Sequence, residues 1–152
     1  MLPRINYAQT SPDGLKAMLG LSAYVCESGL EPSLLELVYV RASQINGCAY
    51  CIDMHTKDAR ANGETEQRLY ALDAWRETPF FTERERAALA WTEAVTQVSV
   101  DHVPESVYKL VCLQFSEKEL VDLNFAVVLI NSWNRLAIPF RLVPGEYRPR
   151  TR

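Results

Sequence analysis

The chain has 152 residues, of which 48% are hydrophobic and 23% are charged, and its formal net charge at pH 7 is −3. This length and composition predict one globular domain over residues 1–152, with a core of ordinary size. The slightly acidic balance provides no basic surface that would attract nucleic acid or an anionic membrane.

Two regions of the chain bear on where the protein resides. The opening residues, MLPRINYAQTSPDG, contain no apolar stretch long enough for a secretory signal. In the most hydrophobic region, LVDLNFAVVLINSW, the longest unbroken apolar run covers residues 125–130, whereas a membrane span needs about 20 residues. We therefore expect a protein that lies outside the membrane, in the cytoplasm, where free thiols stay reduced.

Apolar residues recur at three- and four-residue steps along most of the chain, and the alternating pattern of strands is scarce. The sequence therefore predicts an all-α fold of six to seven helices. The approximate bounds of the predicted helices are 12–27, 32–45, 48–61, 65–75, 83–97, 105–114 and 117–136.

The first predicted helix begins with Ser11 as its N-cap and Pro12 as its first helical residue, positions that these residue types favour. Its apolar face consists of residues at helical spacing, namely Leu15, Met18, Leu19, Ser22 and Cys26. This periodicity predicts that the face packs into the core and that Cys26 is a small core residue.

The fifth and the last predicted helices each begin with a capping box, at residues 82–85 and 116–119. Pro139 and Pro144 predict a non-helical tail after the last helix. Three polar residues lie near the expected end of that helix: Asn131, Asn134 and Arg135. Hydrogen bonding of the terminal carbonyl groups explains them as well as a function in a site does, so we leave them off the list of candidate site residues.

The stretch INGCAYCIDMH contains Cys48, Cys51 and His55, which lie on one side of the third predicted helix. At 100° per residue the three side chains fall within an arc of about 60°. The Cα atoms of two cysteines three residues apart in a helix are about 5 to 5.5 Å apart, which is within the range of a disulfide. Cys51 and His55 have the four-residue spacing at which helical side chains meet.

The position of the cysteines in the helix favours ionised thiols. Gly47 ends the preceding helix, so the next helix begins at Cys48 or Ala49, and its free N–H groups and positive dipole end face both sulfurs. Such a setting lowers the pKa of a thiol, and a nearby imidazole can accept the proton. The three residues therefore have what a reactive dithiol needs.

Other functions of the two cysteines stay open at this stage. A structural zinc site needs four ligands, and the other histidine, His102, lies in a predicted loop. The cysteines could also be two unrelated core residues, since buried cysteine is common. A c-type haem site is excluded because Ile52, not histidine, follows the second cysteine.

Glu36 lies in the middle of the nearly all-apolar second helix, twelve residues before Cys48. A buried carboxylate needs a partner or an altered proton affinity. A capping box is an equally good explanation, because Glu36 could reach back to the N–H of Ser33. Helical periodicity alone does not choose between these two functions.

Glu36, followed after eleven residues by CAYCIDMH, resembles the active-site pattern of AhpD-like alkylhydroperoxidases. These proteins belong to the carboxymuconolactone decarboxylase superfamily. The resemblance covers about residues 29–141. It implies an all-helical AhpD-like fold that assembles as a trimer or hexamer. It also implies that Cys51 is the peroxidatic thiolate, that Cys48 is the proton donor and resolving thiol, and that His55 and Glu36 form a proton relay.

The resemblance thus implies a thiol-dependent peroxidase that needs no cofactor and no metal. Its partners would be a hydroperoxide substrate and an external dithiol reductant, either a lipoylated or a thioredoxin-like protein. Tyr50 replaces a histidine found in the best-known members, so it is a possible site-lining residue. The alternatives are a carboxymuconolactone-type decarboxylase and a non-enzymatic protein that senses redox state or holds zinc.

Overall fold

A computed structural model of the chain describes residues 2–149. These residues form nine α-helices, one short 3₁₀ helix and no strand, which confirms the all-α prediction. The helices are α1 Tyr7–Thr10, α2 Pro12–Cys26, α3 Pro32–Asn46, α4 Ala49–Ala61, α5 Glu66–Ala71, the 3₁₀ helix Leu72–Glu77, α6 Glu83–Thr96, α7 Val98–Asp101, α8 Glu105–Cys112 and α9 Glu117–Phe140. The predicted domain also includes residues 1 and 150–152, which lie outside the described part.

The prediction of six to seven helices was wrong, since the described residues contain nine. The two additional helices, α1 and α7, have four residues each, too few to show a helical period. The predicted helix at 65–75 is interrupted as well. It continues as the 3₁₀ helix, within which Ala74 leaves the helical conformation at φ −111° and ψ 31°.

The last helix, α9, is longer than predicted and contains Pro139. Proline so close to a helix end removes only one hydrogen bond, which is why the helix continues to Phe140. It then ends at Arg141, whose φ is 56°, and the N–H of Leu142 donates to the carbonyl of Ala137 at 3.0 Å. Asn131 and Asn134 are consequently inside α9, and the explanation by helix-end hydrogen bonding was wrong for them.

At two of the three positions where the sequence predicts a helix N-cap, the side chain makes the capping hydrogen bond. Thr82 and Ser116 both form complete capping boxes, as predicted for α6 and α9. In the first, the N–H of Thr82 donates to Glu85 Oε2 at 2.7 Å. Ser11 occupies the N-cap position of α2, but its side chain makes no capping hydrogen bond.

Helix α3 lies at the centre of the fold and packs against α4, α6 and α9. Eight of its 15 residues are buried, and Leu37 and Val38 have no exposed surface. Burial of each such side chain contributes about 1.5 to 3 kcal/mol to folding. The apolar character of this helix on nearly every side is therefore explained by neighbours on several sides.

The turn between α3 and α4 brings the cysteines into the core. Gly47 ends α3 in the left-handed conformation, with φ 68°, and the N–H of Cys48 donates to the carbonyl of Ser43 at 2.9 Å. Glycine adopts this conformation without the steric cost that other residues have. Because α4 begins at Ala49, Cys48 and Cys51 are held at the buried junction of the two helices.

Helix α2 differs from α3, because Val25 is its one buried residue. It packs against α1 and α9. The prediction that its apolar face packs into the core is confirmed for Met18, which packs against the core, but it was wrong for Cys26, which is exposed. Leu15, Leu19 and Cys26 instead line a cavity, since no neighbouring helix fills the space in front of them. Within residues 2–149, no helix is both long enough and apolar enough to cross a membrane.

Candidate active site

A cavity of about 600 Å³ opens beside the junction of α3 and α4. Its walls come from α2, α3, α4 and α9, and Leu142 and Tyr147, from the segment after α9, contribute to its lining. Most of the lining is apolar or aromatic, including Leu129, Ile130 and Trp133 of α9. The volume is in the range of pockets that bind small organic molecules.

The structure brings the two predicted cysteines together at the N-terminus of α4. Cys48 is the N-cap, and its sulfur accepts the N–H of Cys51 at 3.4 Å. The two Sγ atoms lie 2.6 Å apart, both thiols are free, and neither residue is more than 2% exposed. A disulfide between them could therefore close with no large movement of the backbone.

The two thiols share a hydrogen bond, which lowers the pKa of one thiol and raises the pKa of the other. The hydrogen bond from Cys51, together with backbone N–H groups of Cys51 and Tyr50, lowers the pKa of Cys48 to about 7. The same hydrogen bond, together with burial, raises the pKa of Cys51 well above its ordinary value. The pair thus releases one proton near neutral pH and retains the second between the sulfurs.

The two sulfurs differ in their access to the cavity. Cys51 lines it, whereas Cys48 is not among the lining residues. Cys51 is therefore the sulfur that a molecule in the cavity meets first.

His55 and Glu36, from α4 and α3, are in contact as the relay prediction requires. His55 Nδ1 lies 2.9 Å from Glu36 Oε2, and His55 is 8% exposed. Because α3 begins at Pro32 with Glu31 as its N-cap, Glu36 is beyond the capping position, and the capping-box alternative was wrong. When Nδ1 carries the proton donated to Glu36, Nε2 is the nitrogen that can take up another.

Aromatic residues surround this pair on the cavity side. Tyr39 is buried and packs on His55, with ring centroids 4.8 Å apart. Tyr50 lines the cavity, and burial followed by the charge of Cys51 raises its pKa. Tyr7 lines the same cavity, and its pKa is raised by burial and by the charges of Tyr50 and Cys51. Tyr7 is far from the CxxC motif in sequence, so the sequence analysis did not identify it as a residue of the site.

A polar network that the sequence analysis did not assign to the site lies behind the sulfurs. Asn134 has no exposed surface, and its Nδ2 donates to Ser43 Oγ at 3.1 Å while its Oδ1 accepts from Asn46 at 2.8 Å. A hydrogen bond from Asn134 also contributes to the lowered pKa of Cys48 and offsets a small part of the rise in the pKa of Cys51. The signal available in the sequence was the presence of asparagines in an otherwise apolar helix.

One group of side chains has the arrangement needed to hold a metal ion. Donor atoms of Glu36, His55 and Asp58 all lie within 4.8 Å of one another. Asp58, which the sequence analysis missed, is one turn after His55 on α4, and its carboxylate accepts the hydroxyl of Tyr147 at 2.7 Å. This group contains neither sulfur, so it differs from the zinc site considered from Cys48, Cys51 and His55.

Comparison with known proteins gives consistent relatives. The model of the carboxymuconolactone decarboxylase family matches residues 12–94. YdfG of Bacillus subtilis (strain 168), an uncharacterized protein, is 44% identical over 138 residues, which are 91% of this chain and 94% of that protein.

Two solved structures have the same fold. ATU0492 from Agrobacterium tumefaciens, a protein of unknown function related to the antioxidant defence protein AhpD, has 42% identity and a TM-score of 0.93, covering 96% of this chain and all of that one. An AhpD-core, peroxidase-related protein from Ralstonia eutropha JMP134 has 20% identity and a TM-score of 0.80, covering 91% and 74% of the two chains. The latter likeness concerns the fold alone.

Proposed function

Because the chain belongs to the carboxymuconolactone decarboxylase family and is AhpD-like, we propose that it is a thiol-dependent peroxidase. In this proposal it reduces organic hydroperoxides by cycling Cys48 and Cys51 between dithiol and disulfide. The observation that carries the proposal is the pair of free sulfurs 2.6 Å apart, with Cys51 facing an apolar cavity. Two thiols in contact beside a substrate-sized space are the minimum for such a cycle.

The first step forms the thiolate that attacks the peroxide. His55 Nε2 takes up the proton that the dithiol releases near pH 7, and Glu36 stabilises the resulting imidazolium through Nδ1. The remaining proton moves across the hydrogen bond to Cys48, which leaves Cys51 as the thiolate. This transfer is short because the sulfurs are in contact.

The second step breaks the peroxide. The Cys51 thiolate attacks the terminal oxygen, so that an S–O bond forms as the O–O bond breaks. The alkoxide takes the proton of the Cys48 thiol and leaves as the alcohol. Cys51 is thereby oxidised to a sulfenic acid and the hydroperoxide is reduced.

The third step closes the disulfide. The Cys48 thiolate attacks Cys51 Sγ and displaces hydroxide, which leaves as water with the proton held by His55. An external dithiol, carried by a lipoylated or thioredoxin-like protein in a reducing compartment such as the cytoplasm, then returns the disulfide to two thiols. One hydroperoxide and one external dithiol give one alcohol, one water and one external disulfide.

A decarboxylase is the other activity that the family name suggests, and the cavity argues against it. A carboxymuconolactone is an anion, and a site for it needs a cation to bind the carboxylate. Within residues 2–149 no Lys or Arg lines the cavity, whereas Glu36 and Asp58 do. The lining therefore favours the peroxidase.

We propose in addition that the chain forms a homo-oligomer, a trimer or hexamer, as AhpD-like proteins do. Val121, Phe125 and Val128 repeat at helical spacing on α9 and are 41 to 54% exposed. An apolar stripe of this kind is suited to burial against another subunit. Light scattering after size exclusion measures the state directly, and a mass of 17.3 kDa, that of one chain, would contradict the proposal.

The test of the peroxidase uses the reduced protein and a small excess of cumene hydroperoxide. Free thiols are then counted by alkylation and mass spectrometry, with Cys26 and Cys112 as internal references. We expect loss of two thiols, mapped to a Cys48–Cys51 bridge, and their return on addition of dihydrolipoamide. Continued consumption of the peroxide with dihydrolipoamide present distinguishes an enzyme from a redox sensor, which would react once.

A reduced Cys48–Cys51 pair after this treatment would contradict the peroxidase. Retention of lactone decarboxylation after alkylation of the thiols would support the decarboxylase in its place. About one zinc ion per chain in protein purified without chelator would support the metal-holding alternative.

A further inference from the structure

Among the residues that the structure describes, two carboxylates and no lysine or arginine line the cavity, and this bears on the substrate that it accepts. Glu36 and Asp58 both line it, together with His55, and their nearest donor atoms lie within 4.8 Å of one another. Asp58 is seven residues after Cys51 on α4, so both side chains lie on the same face of the helix. Two carboxylates therefore face the cavity that the reacting sulfur lines, with Asp58 about 10 Å along the helix axis from Cys51.

Neither carboxylate is neutralised by a lysine or arginine among the residues that the structure describes. Glu36 contacts His55, and the carboxylate of Asp58 accepts the hydroxyl of Tyr147 at 2.7 and 3.0 Å. The neighbouring Lys57 is turned away from Asp58 and binds Asp53 at 2.8 Å and the carbonyl of Tyr147 at 3.3 Å. A phenol orients a carboxylate but leaves its negative charge in place.

Most of the remaining lining is apolar or aromatic and supplies no lysine or arginine that would offset the charge of the two carboxylates. Leu15 and Leu19 of α2, Met54 of α4, and Leu129, Ile130 and Trp133 of α9 face the same space. Interactions between charges strengthen as the local dielectric falls, so two carboxylates repel an anion more strongly here than on the protein surface. An uncharged apolar group, by contrast, gains from burial against these side chains.

We propose that the cavity selects hydroperoxides whose organic group is apolar and carries no negative charge, and that Asp58 is a specificity-determining residue that excludes anionic ones. The inference rests on the proposed peroxidase function and names its substrate class. Hydroperoxides of free carboxylic acids are excluded by it, and their neutral esters are accepted. A group with a positive charge is accepted at least as well as the ester.

The test compares hydroperoxides of one scaffold that carry a negative, a neutral or a positive substituent at the same position. Cumene hydroperoxide is used with a carboxylate, a methyl ester or a trimethylammonium group at the para position, with dihydrolipoamide as reductant. EDTA is present throughout, because a divalent cation bound by Glu36, His55 and Asp58 would neutralise the carboxylates. For the wild-type protein we expect kcat/KM for the carboxylate to be lower than for the ester by about tenfold or more.

Two variants separate the role of Asp58 from a general effect of charge. Asp58→Asn preserves the shape and an acceptor for Tyr147, and we expect it to narrow the ratio of ester to carboxylate by at least about threefold. Asp101→Asn makes the same change of net charge on exposed α7, away from the cavity, and should leave the ratio unchanged. If Asp58→Asn does not fold, the same ratio is read in the wild-type protein from binding of the corresponding cumyl alcohols by calorimetry.

Equal kcat/KM for carboxylate and ester in the wild-type protein would overturn the charge selection and leave the peroxidase intact. A ratio that Asp58→Asn does not narrow would overturn the role of Asp58. Failure of all three hydroperoxides to oxidise Cys48 and Cys51 would contradict the proposed function, and the inference would fall with it. These three results are distinguishable within one set of assays.

Discussion

Helices α2 and α3 have the same length and both begin with proline, but they differ in how many of their residues are buried. Both have 15 residues and carry apolar residues at helical spacing. Eight residues of α3 are buried, whereas α2 buries Val25 alone. The reason is that α3 is surrounded by α4, α6 and α9, while the apolar face of α2 borders a cavity. Helical periodicity identifies an apolar face but does not reveal what that face contacts.

The difference has a functional meaning in the proposed peroxidase. The α3–α4 hairpin holds the sulfurs, the imidazole and Glu36 at defined distances, which requires a rigid and well-packed support. Helix α2 contributes an apolar wall that the substrate contacts. A wall of this kind must remain open, so its leucines cannot be covered as core residues are.

The largest expected effect is on peroxide turnover, when a thiol of the α3–α4 hairpin is replaced and the result is compared with replacement of a thiol of α2. Cys51→Ser removes the proposed nucleophile, and we expect peroxide turnover to fall by about a thousandfold or more, because a serine hydroxyl is not ionised at neutral pH. Cys26→Ser changes an exposed thiol of α2 in the same cavity and should retain activity within about twofold. Turnover with cumene hydroperoxide and dihydrolipoamide measures both. Full activity of Cys51→Ser would contradict the assignment of the nucleophile.

The next effect concerns stability. Leu37→Ala empties a fully buried position of α3, and we expect the free energy of unfolding to fall by about 3 kcal/mol. Leu19→Ala removes the same atoms from α2, where the side chain is 53% exposed, and should change it by less than about 0.5 kcal/mol. Urea unfolding followed by circular dichroism gives both values. Similar losses for the two variants would show that α2 is packed as tightly as α3.

A smaller effect follows from the titration of the two thiols in the α3–α4 hairpin. Since the pKa of Cys48 is lowered to about 7, the thiolate form increases as the pH rises through that value. The rate of peroxide reaction should therefore rise about tenfold between about pH 6 and about pH 8 and then level off. Stopped-flow measurements on Cys26→Ser should give the same profile, since α2 does not supply the reacting sulfur. A rate independent of pH over this range would contradict a titrating dithiol.

The smallest effect concerns the cavity wall. Leu19→Phe enlarges a side chain of α2 that lines the cavity. We expect kcat/KM for cumene hydroperoxide to fall about threefold to tenfold, because the larger side chain leaves less space for the cumyl group of the substrate. The rate with hydrogen peroxide, which needs little space, should be unchanged. Parallel assays with the two peroxides measure the ratio. An equal loss with both would indicate a distortion of the hairpin instead of a narrower cavity.

The sequence by itself determined the features that depend on neighbouring residues along the chain. The capping boxes of α6 and α9, the turn at Gly47 and the shared helical face of Cys51 and His55 follow from local geometry, and the structure has them. The prediction that Cys48 lies on the same helical face was wrong, because Cys48 is the N-cap of α4 and has extended backbone. The AhpD-like all-α fold could be predicted from the resemblance carried by the same motif. The four-residue helices could not, because a single turn shows no period.

Tertiary structure decided what depends on distance through space. Only the packing of α3 against α4 brings Glu36 to 2.9 Å from His55 and removes the choice between cap and partner. Tyr7 and Asn134 join the site from distant parts of the chain, so no spacing in the sequence marks them. Asp58 is only three residues after His55 on α4, but its place in the cavity also depends on the packing around that helix. The apolar face of α2 lines the cavity for the same reason. The burial of a face depends on which helices pack against it, whereas the periodicity of the sequence predicts only that the helix has an apolar face.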